Sequence, residues 1–140
     1  MKYALGLIVF LLVAIQFIPA KVINTKTDKS LEIKAPKEVM KILKTSCYDC
    51  HSNETKVPWY ASIAPASFFI KRHVDLGRQW LNFSVWNSYT AKQKDKKLEQ
   101  IFKSVYHAMP LPNYIKMHKD AKLSQKQKDL IRNWTGKVPY

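Results

Sequence analysis

Apolar positions along the chain fall into one unbroken run, followed by several segments in which they recur at helical spacing. From Tyr3 to Ala20, Gln16 is the only strongly polar side chain, and Lys2 precedes the run. An apolar stretch of roughly 17 to 25 residues can cross a bilayer as a helix, whereas the apolar part of a cleavable signal is nearer 7 to 15. A cut after Ala20 would place Ile18 where a small residue is required. The pattern therefore predicts an uncleaved N-terminal transmembrane helix over residues 1–20. Residues 21–35 follow neither period and are expected to form a solvated linker. Residues 36–140 are expected to be the folded domain.

Within that domain, Val39, Ile42, Leu43 and Ser46 share one helical face, with Pro36 suited to the first turn and Glu38 to its positive end. Phe69, His73, Leu76 and Trp80 recur at steps of four, three and four, and Gly77 stands on the adjacent face where a neighbour can approach closely. Leu98, Ile101, Phe102 and Val105 form the stripe of a third helix, capped by Thr90 and rich in Lys on its other side. Ser124 and Gln127 make a capping box for a last helix, with Leu130, Ile131 and Trp134 as its buried stripe and Gly136 as its stop. No segment alternates as a strand for long, so the expected class is all-α.

The balance of 24 Lys and Arg against 10 Asp and Glu gives a net charge of +14, which calls for an acidic, phosphate-bearing or anionic-lipid partner surface. Lys92, Lys94, Lys96 and Lys97 lack the interleaved aromatics of a nucleic-acid stacking platform, so no nucleic-acid partner is expected. Only two cysteines are present, which excludes a disulfide-dense scaffold.

Those two lie in Cys47-Tyr48-Asp49-Cys50-His51, the c-type haem attachment pattern. Two thiols at this spacing can each add to one haem vinyl group, and the adjacent His51 is held near enough to ligate iron from the proximal side. One covalent haem c is thus the expected cofactor. A thioredoxin-like pair wants a βαβ context, and tetrahedral zinc wants a fourth ligand at recognisable spacing. Such attachment takes place outside the bacterial inner membrane. That chemistry favours an inner-membrane anchor with a periplasmic domain, although Lys21, Lys26, Lys29 and Lys34 after the apolar run argue for the cytoplasmic side.

For the second axial position the candidates are Met109, Met117, His73, His107 and His118. Met109 leads, because Pro110 and Pro112 make a short rigid loop around it; His118 is the runner-up. The order of elements, a helix ending in the cysteine motif, a Met-Pro loop and a final helix, resembles small monohaem cytochromes c. In those proteins the Met-Pro methionine is the distal ligand.

The stretches SCYDCHSNETKVPWYASIAPASFF, HVDLGRQWLNFSVW and MPLPNYIKMHKDAKLS resemble the haem-binding domain proteins of bacteria, from about Pro36 to Trp134. The resemblance implies haem binding in an envelope compartment, and makes His73, Arg78, Asn82, Tyr114 and His118 candidates for lining or ordering the haem edge. Haem propionates require donors, and Arg78, Arg72, Trp59 and Tyr60 are suited to that part, Arg78 first. Trp59, Phe68, Phe69, Trp80, Phe83 and Trp86 are expected in the core, of which a porphyrin would itself be part. His107 is expected at a helix C-terminus. The expected function is single-electron transfer between redox proteins, with an acidic partner. The alternative is a haem sensor or small-ligand binder, with weak peroxidase activity at most, whose sixth iron site is open.

Overall fold

The computed structural model describes residues 2–137, and in it the apolar N-terminal run is helical only in its first part, as α1 (Lys2–Ala14). At about 1.5 Å per residue, its 13 residues span about 20 Å, short of the roughly 30 Å of a hydrocarbon core. A 3₁₀ turn at Ile15–Phe17 and extended backbone at Ile18 end it. Gln16 then turns to the body, its amide donating to the Ala64 carbonyl at 3.1 Å and accepting from the Ala64 N–H at 2.9 Å. No helix among the described residues is long and apolar enough to cross a membrane. The expected N-terminal transmembrane helix is therefore corrected, and with it the expected location as an inner-membrane protein facing the periplasm. The physical reason is that the α-helix tightens to a 3₁₀ turn after Ala14 and gives way to extended backbone at Ile18, which hydropathy along the sequence does not register.

Residues 19–35 lie along the body. Ala20 and Ile33 are buried, the Ile33 N–H donates to the Phe83 carbonyl at 2.9 Å, and Asn24 exchanges two side-chain hydrogen bonds with the Thr55 backbone.

The body is built from α2 (Lys37–Ser46), α3 (Tyr48–His51), α4 (Ala66–Trp80), α5 (Ala91–His107), α6 (Pro112–Met117) and α7 (Gln125–Thr135). There is no strand among the described residues, as the all-α reading expects. The apolar stripes of α2, α5 and α7 meet in one core, with Leu43 and Ile131 fully buried and Leu98, Leu130 and Trp134 packed against its edge. Thr90 and Ser124 close capping boxes on α5 and α7, and Gly136 ends α7 in the left-handed conformation at φ 66°. Phe83 and Trp86 join the core from a 3₁₀ segment, Phe83–Ser88, whose Asn82 cap accepts from the Ser84 N–H.

The helix α4 is rotated relative to its sequence pattern. Its buried residues are Ser67, Val74 and Gly77, whereas Phe69, His73, Leu76 and Trp80 face outward. Gly77 lets α4 pass against α3. A Cβ there would overlap the Cys50 carbonyl oxygen and lie 3.0 Å from its carbon.

Candidate functional site

The short helix α3 starts directly after α2, and the Cys47 N–H still donates to the Leu43 carbonyl, so the core-packed α2 fixes where the cysteine motif begins. The Cys50 and His51 N–H groups both donate to the Cys47 carbonyl, a single tight turn that places Cys47, Cys50 and His51 on one wall. That wall lines a cavity of about 500 Å³, whose lining also includes Ile101 and Val105 of α5 and the Met109-Pro110-Leu111 loop. Both peptide bonds preceding Pro65 and Pro110 are cis.

The outward stripe of α4 now has a place. His73, Leu76 and Trp80 line this cavity, so the apolar face that α4 turns from the protein core faces the cavity instead. A volume of this size with mostly apolar walls and a few polar groups is that of a cofactor site.

His51 Nδ1 lies 2.9 Å from the Gly77 carbonyl and 3.1 Å from the Leu81 carbonyl. A carbonyl only accepts, so Nδ1 carries the proton and Nε2 keeps its lone pair. Burial pushes the His51 pKa down, against the opposing effect of those two carbonyls, which favours the neutral ring. A metal-binding histidine is oriented in this way, with its second nitrogen bonded to a backbone carbonyl.

Both cysteines are free thiols. Burial pushes Cys47 up to about 12 and Cys50 up to about 11, the carboxylate of Asp49 adding to the effect on Cys50. Redox-active Cys-x-x-Cys pairs instead hold a depressed thiol, so these raised thiols do not favour dithiol exchange. No group of three or more His, Cys, Asp or Glu side chains placed to hold a metal ion occurs among the described residues, which leaves zinc without a ligand set. An apolar cavity with two adjacent thiols and a neutral, carbonyl-oriented imidazole fits a haem.

Met109 enters this cavity where α5 ends, its N–H held by the Ser104 carbonyl at 2.7 Å. His118 and Met117 lie instead on an adjoining cavity of about 530 Å³, which shares Asp49, Cys50, His73, Leu111 and Tyr114 with the first. His118 stacks on Tyr114 with ring centroids 4.2 Å apart. His73 borders both cavities, its Nδ1 2.7 Å from the Phe69 carbonyl. His107 is exposed at the end of α5.

The residues read as propionate donors fall elsewhere. Arg78 lines neither cavity; it donates to the Ser52 and Ile23 carbonyls and to Asn24 Oδ1 and Thr55 Oγ1, tying residues 23–24 to the body. Trp59 is exposed, Tyr60 lines the adjoining cavity, and Arg72 borders a shallow groove with Pro19 and Ala20. Asn82 is buried and donates to Asn53 Oδ1 at 2.8 Å. Lys97, Gln100 and Ser104 of α5 do line the first cavity and are not singled out in the sequence, where the lysines of α5 read as the side of the helix away from its apolar stripe. Their spacing of three and four beside Ile101 and Val105 is the signal that marks them.

No curated protein and no solved structure is significantly similar to the chain. Residues 10–137 match the family described as Haem-binding domain, a span that holds the cysteine turn, the carbonyl-oriented His51 and every residue lining both cavities. With nearly the whole chain matched and a cavity fit for that cofactor, this protein belongs to the haem-binding domain family.

Proposed function

We propose that this haem-binding chain is a monohaem c-type cytochrome that carries single electrons between redox proteins. In this reading Cys47 and Cys50 would hold the haem, each thiol adding its S–H across one vinyl group to leave one thioether bond. His51 Nε2 and the Met109 thioether would be the residues that hold the iron. The bound haem supplies a one-electron iron couple, and Met/His ligation raises its potential. The two carbonyls on Nδ1 keep the His51 ring in one orientation.

The observation that carries the reading is the convergence of Cys47, Cys50, His51 and Met109 on one apolar cavity, with the His51 tautomer already set for ligation. The test is the intact mass of the full chain matured in a host competent for c-type haem attachment, taken after denaturation. One haem retained by the wild type, and none by Cys47→Ala/Cys50→Ala, is expected. Haem that leaves the denatured wild type contradicts covalent attachment.

The adjoining cavity favours a second reading, a haem-based sensor or small-ligand binder. It shares Asp49, Cys50, His73, Leu111 and Tyr114 with the first cavity, so a small molecule held there would lie beside the haem. Ready binding of carbon monoxide by the reduced protein supports this alternative and opposes a closed electron carrier.

A further inference from the structure

The haem reading leaves two carboxylates to place, and Arg78, the obvious cation, is bonded into the body away from the cavity. Among the residues lining the first cavity, Lys97 is the only Lys or Arg. Its ammonium is held at the rim: Nζ donates to the Trp80 carbonyl at the C-terminal end of α4 and lies 4.4 Å from the centroid of the Tyr89 ring. A carbonyl at a helix C-terminus and an aromatic face both attract a cation, and both leave its full charge without a counter-ion. Lys97 makes no ion pair among the described residues, unlike Lys71, Lys103 and Lys137. Burial lowers its pKa, the mark of an ammonium incompletely solvated.

The one carboxylate among the residues lining this cavity lies elsewhere on it. Asp49 stands at the junction of the two cavities, between the cysteines in sequence, and its carboxylate accepts from the Tyr114 hydroxyl and the Lys56 N–H. Lys97, Gln100 and Ser104 border the first cavity only, away from that junction. The vinyl and propionate groups of haem lie on opposite edges of the macrocycle. A haem joined through the cysteines beside Asp49 thus presents its carboxylates away from the anionic end.

We infer that Lys97 is the anchor for a haem propionate, with Gln100 and Ser104 as hydrogen-bonding groups along the same face of α5. This rests on the haem reading above. The ammonium exchanges the Trp80 carbonyl for, or shares it with, a carboxylate oxygen, and its positive charge beside the macrocycle favours the reduced iron.

The test compares full-length haem-loaded wild type with Lys97→Gln, Lys97→Arg and, as a control for bulk charge, Lys96→Gln, since Lys96 is exposed on the same helix and lines neither cavity. The readout is the midpoint potential as a function of pH. Lys97→Gln is expected to lower the potential and to move the ionisation that bends the profile upward by roughly one pH unit, the effect of losing an adjacent opposite charge. Lys97→Arg is expected to restore most of both, and Lys96→Gln to change neither. A Lys97→Gln profile superimposable on wild type, or one matched by Lys96→Gln, overturns the inference alone. A wild type that takes up no haem overturns the haem reading and this inference with it.

Discussion

The Tyr114 hydroxyl donates to Asp49 Oδ2 at 2.8 Å, joining α6 to the cysteine turn across 65 residues of chain. Leu111, next but one to Met109, opens α6, so this bond ties the segment carrying the proposed distal ligand to the segment carrying the proximal one. Tyr114→Phe removes the bond and keeps the ring that stacks on His118. A loss of about 1 kcal/mol in urea-unfolding stability is expected. In the haem-loaded protein the variant is expected to admit carbon monoxide faster than wild type, because the Met109 loop is less firmly held.

Gly77 sets the distance between α3 and α4. Gly77→Ala gains about 1 kcal/mol of helix propensity but forces a Cβ into the Cys50 carbonyl, an overlap that costs about 3 kcal/mol. A net loss of about 2 kcal/mol is expected from denaturant midpoints. Because the Gly77 carbonyl also holds His51 Nδ1, the haem-loaded variant is expected to show a mixed spin state in its absorption spectrum.

Arg78 acts as a tie for the N-terminal strap. Arg78→Lys cannot reproduce the four bonds of the guanidinium fork. About 2 kcal/mol of stability is expected to be lost, with faster hydrogen exchange in residues 20–25. The midpoint potential is expected to stay near that of wild type, in contrast to Lys97→Gln.

At high pH two tyrosines act together. Tyr48 donates to Glu32 Oε1 at 2.9 Å and Tyr114 to Asp49, and burial followed by those carboxylates raises both phenol pKa values. The unfolded chain releases these protons near pH 10 while the folded chain keeps them. Stability is therefore complete below about pH 10 and falls as pH rises above it. Absorbance titration is expected to show Tyr48 and Tyr114 ionising only with unfolding, and Tyr48→Phe to make the decline shallower.

Helices whose single apolar stripe meets the protein core were legible in the sequence. Val39, Ile42, Leu43 and Ser46 are the buried residues of α2, and the caps at Thr90 and Ser124 stand where their residue types place them. The stripe Phe69, His73, Leu76 and Trp80 is equally regular, but periodicity reports an apolar face and not whether protein or cofactor covers it. The N-terminal run misled for a related reason. Hydropathy counts side chains, whereas a span requires unbroken helix, and the helix stops at Ala14. Residues 19–35 carry no period because isolated bonds, such as those of Asn24 and Ile33, hold them in place. Of the site, the cysteine motif and Met109 were readable as local patterns, and the structure brings them to one cavity. Lys97 is passed over, since only its spacing beside Ile101 and Val105 separates it from the other lysines of α5.

The most direct test of a closed, Met/His-ligated electron carrier is the visible spectrum of the haem-loaded full chain, oxidised and reduced, with and without carbon monoxide. A low-spin spectrum with a methionine-to-iron charge-transfer band when oxidised, unmoved by carbon monoxide when reduced, and lost in Met109→Ala with haem still attached, is the predicted result. A high-spin or readily carbon-monoxide-bound haem in the wild type, or an unchanged Met109→Ala spectrum, contradicts it.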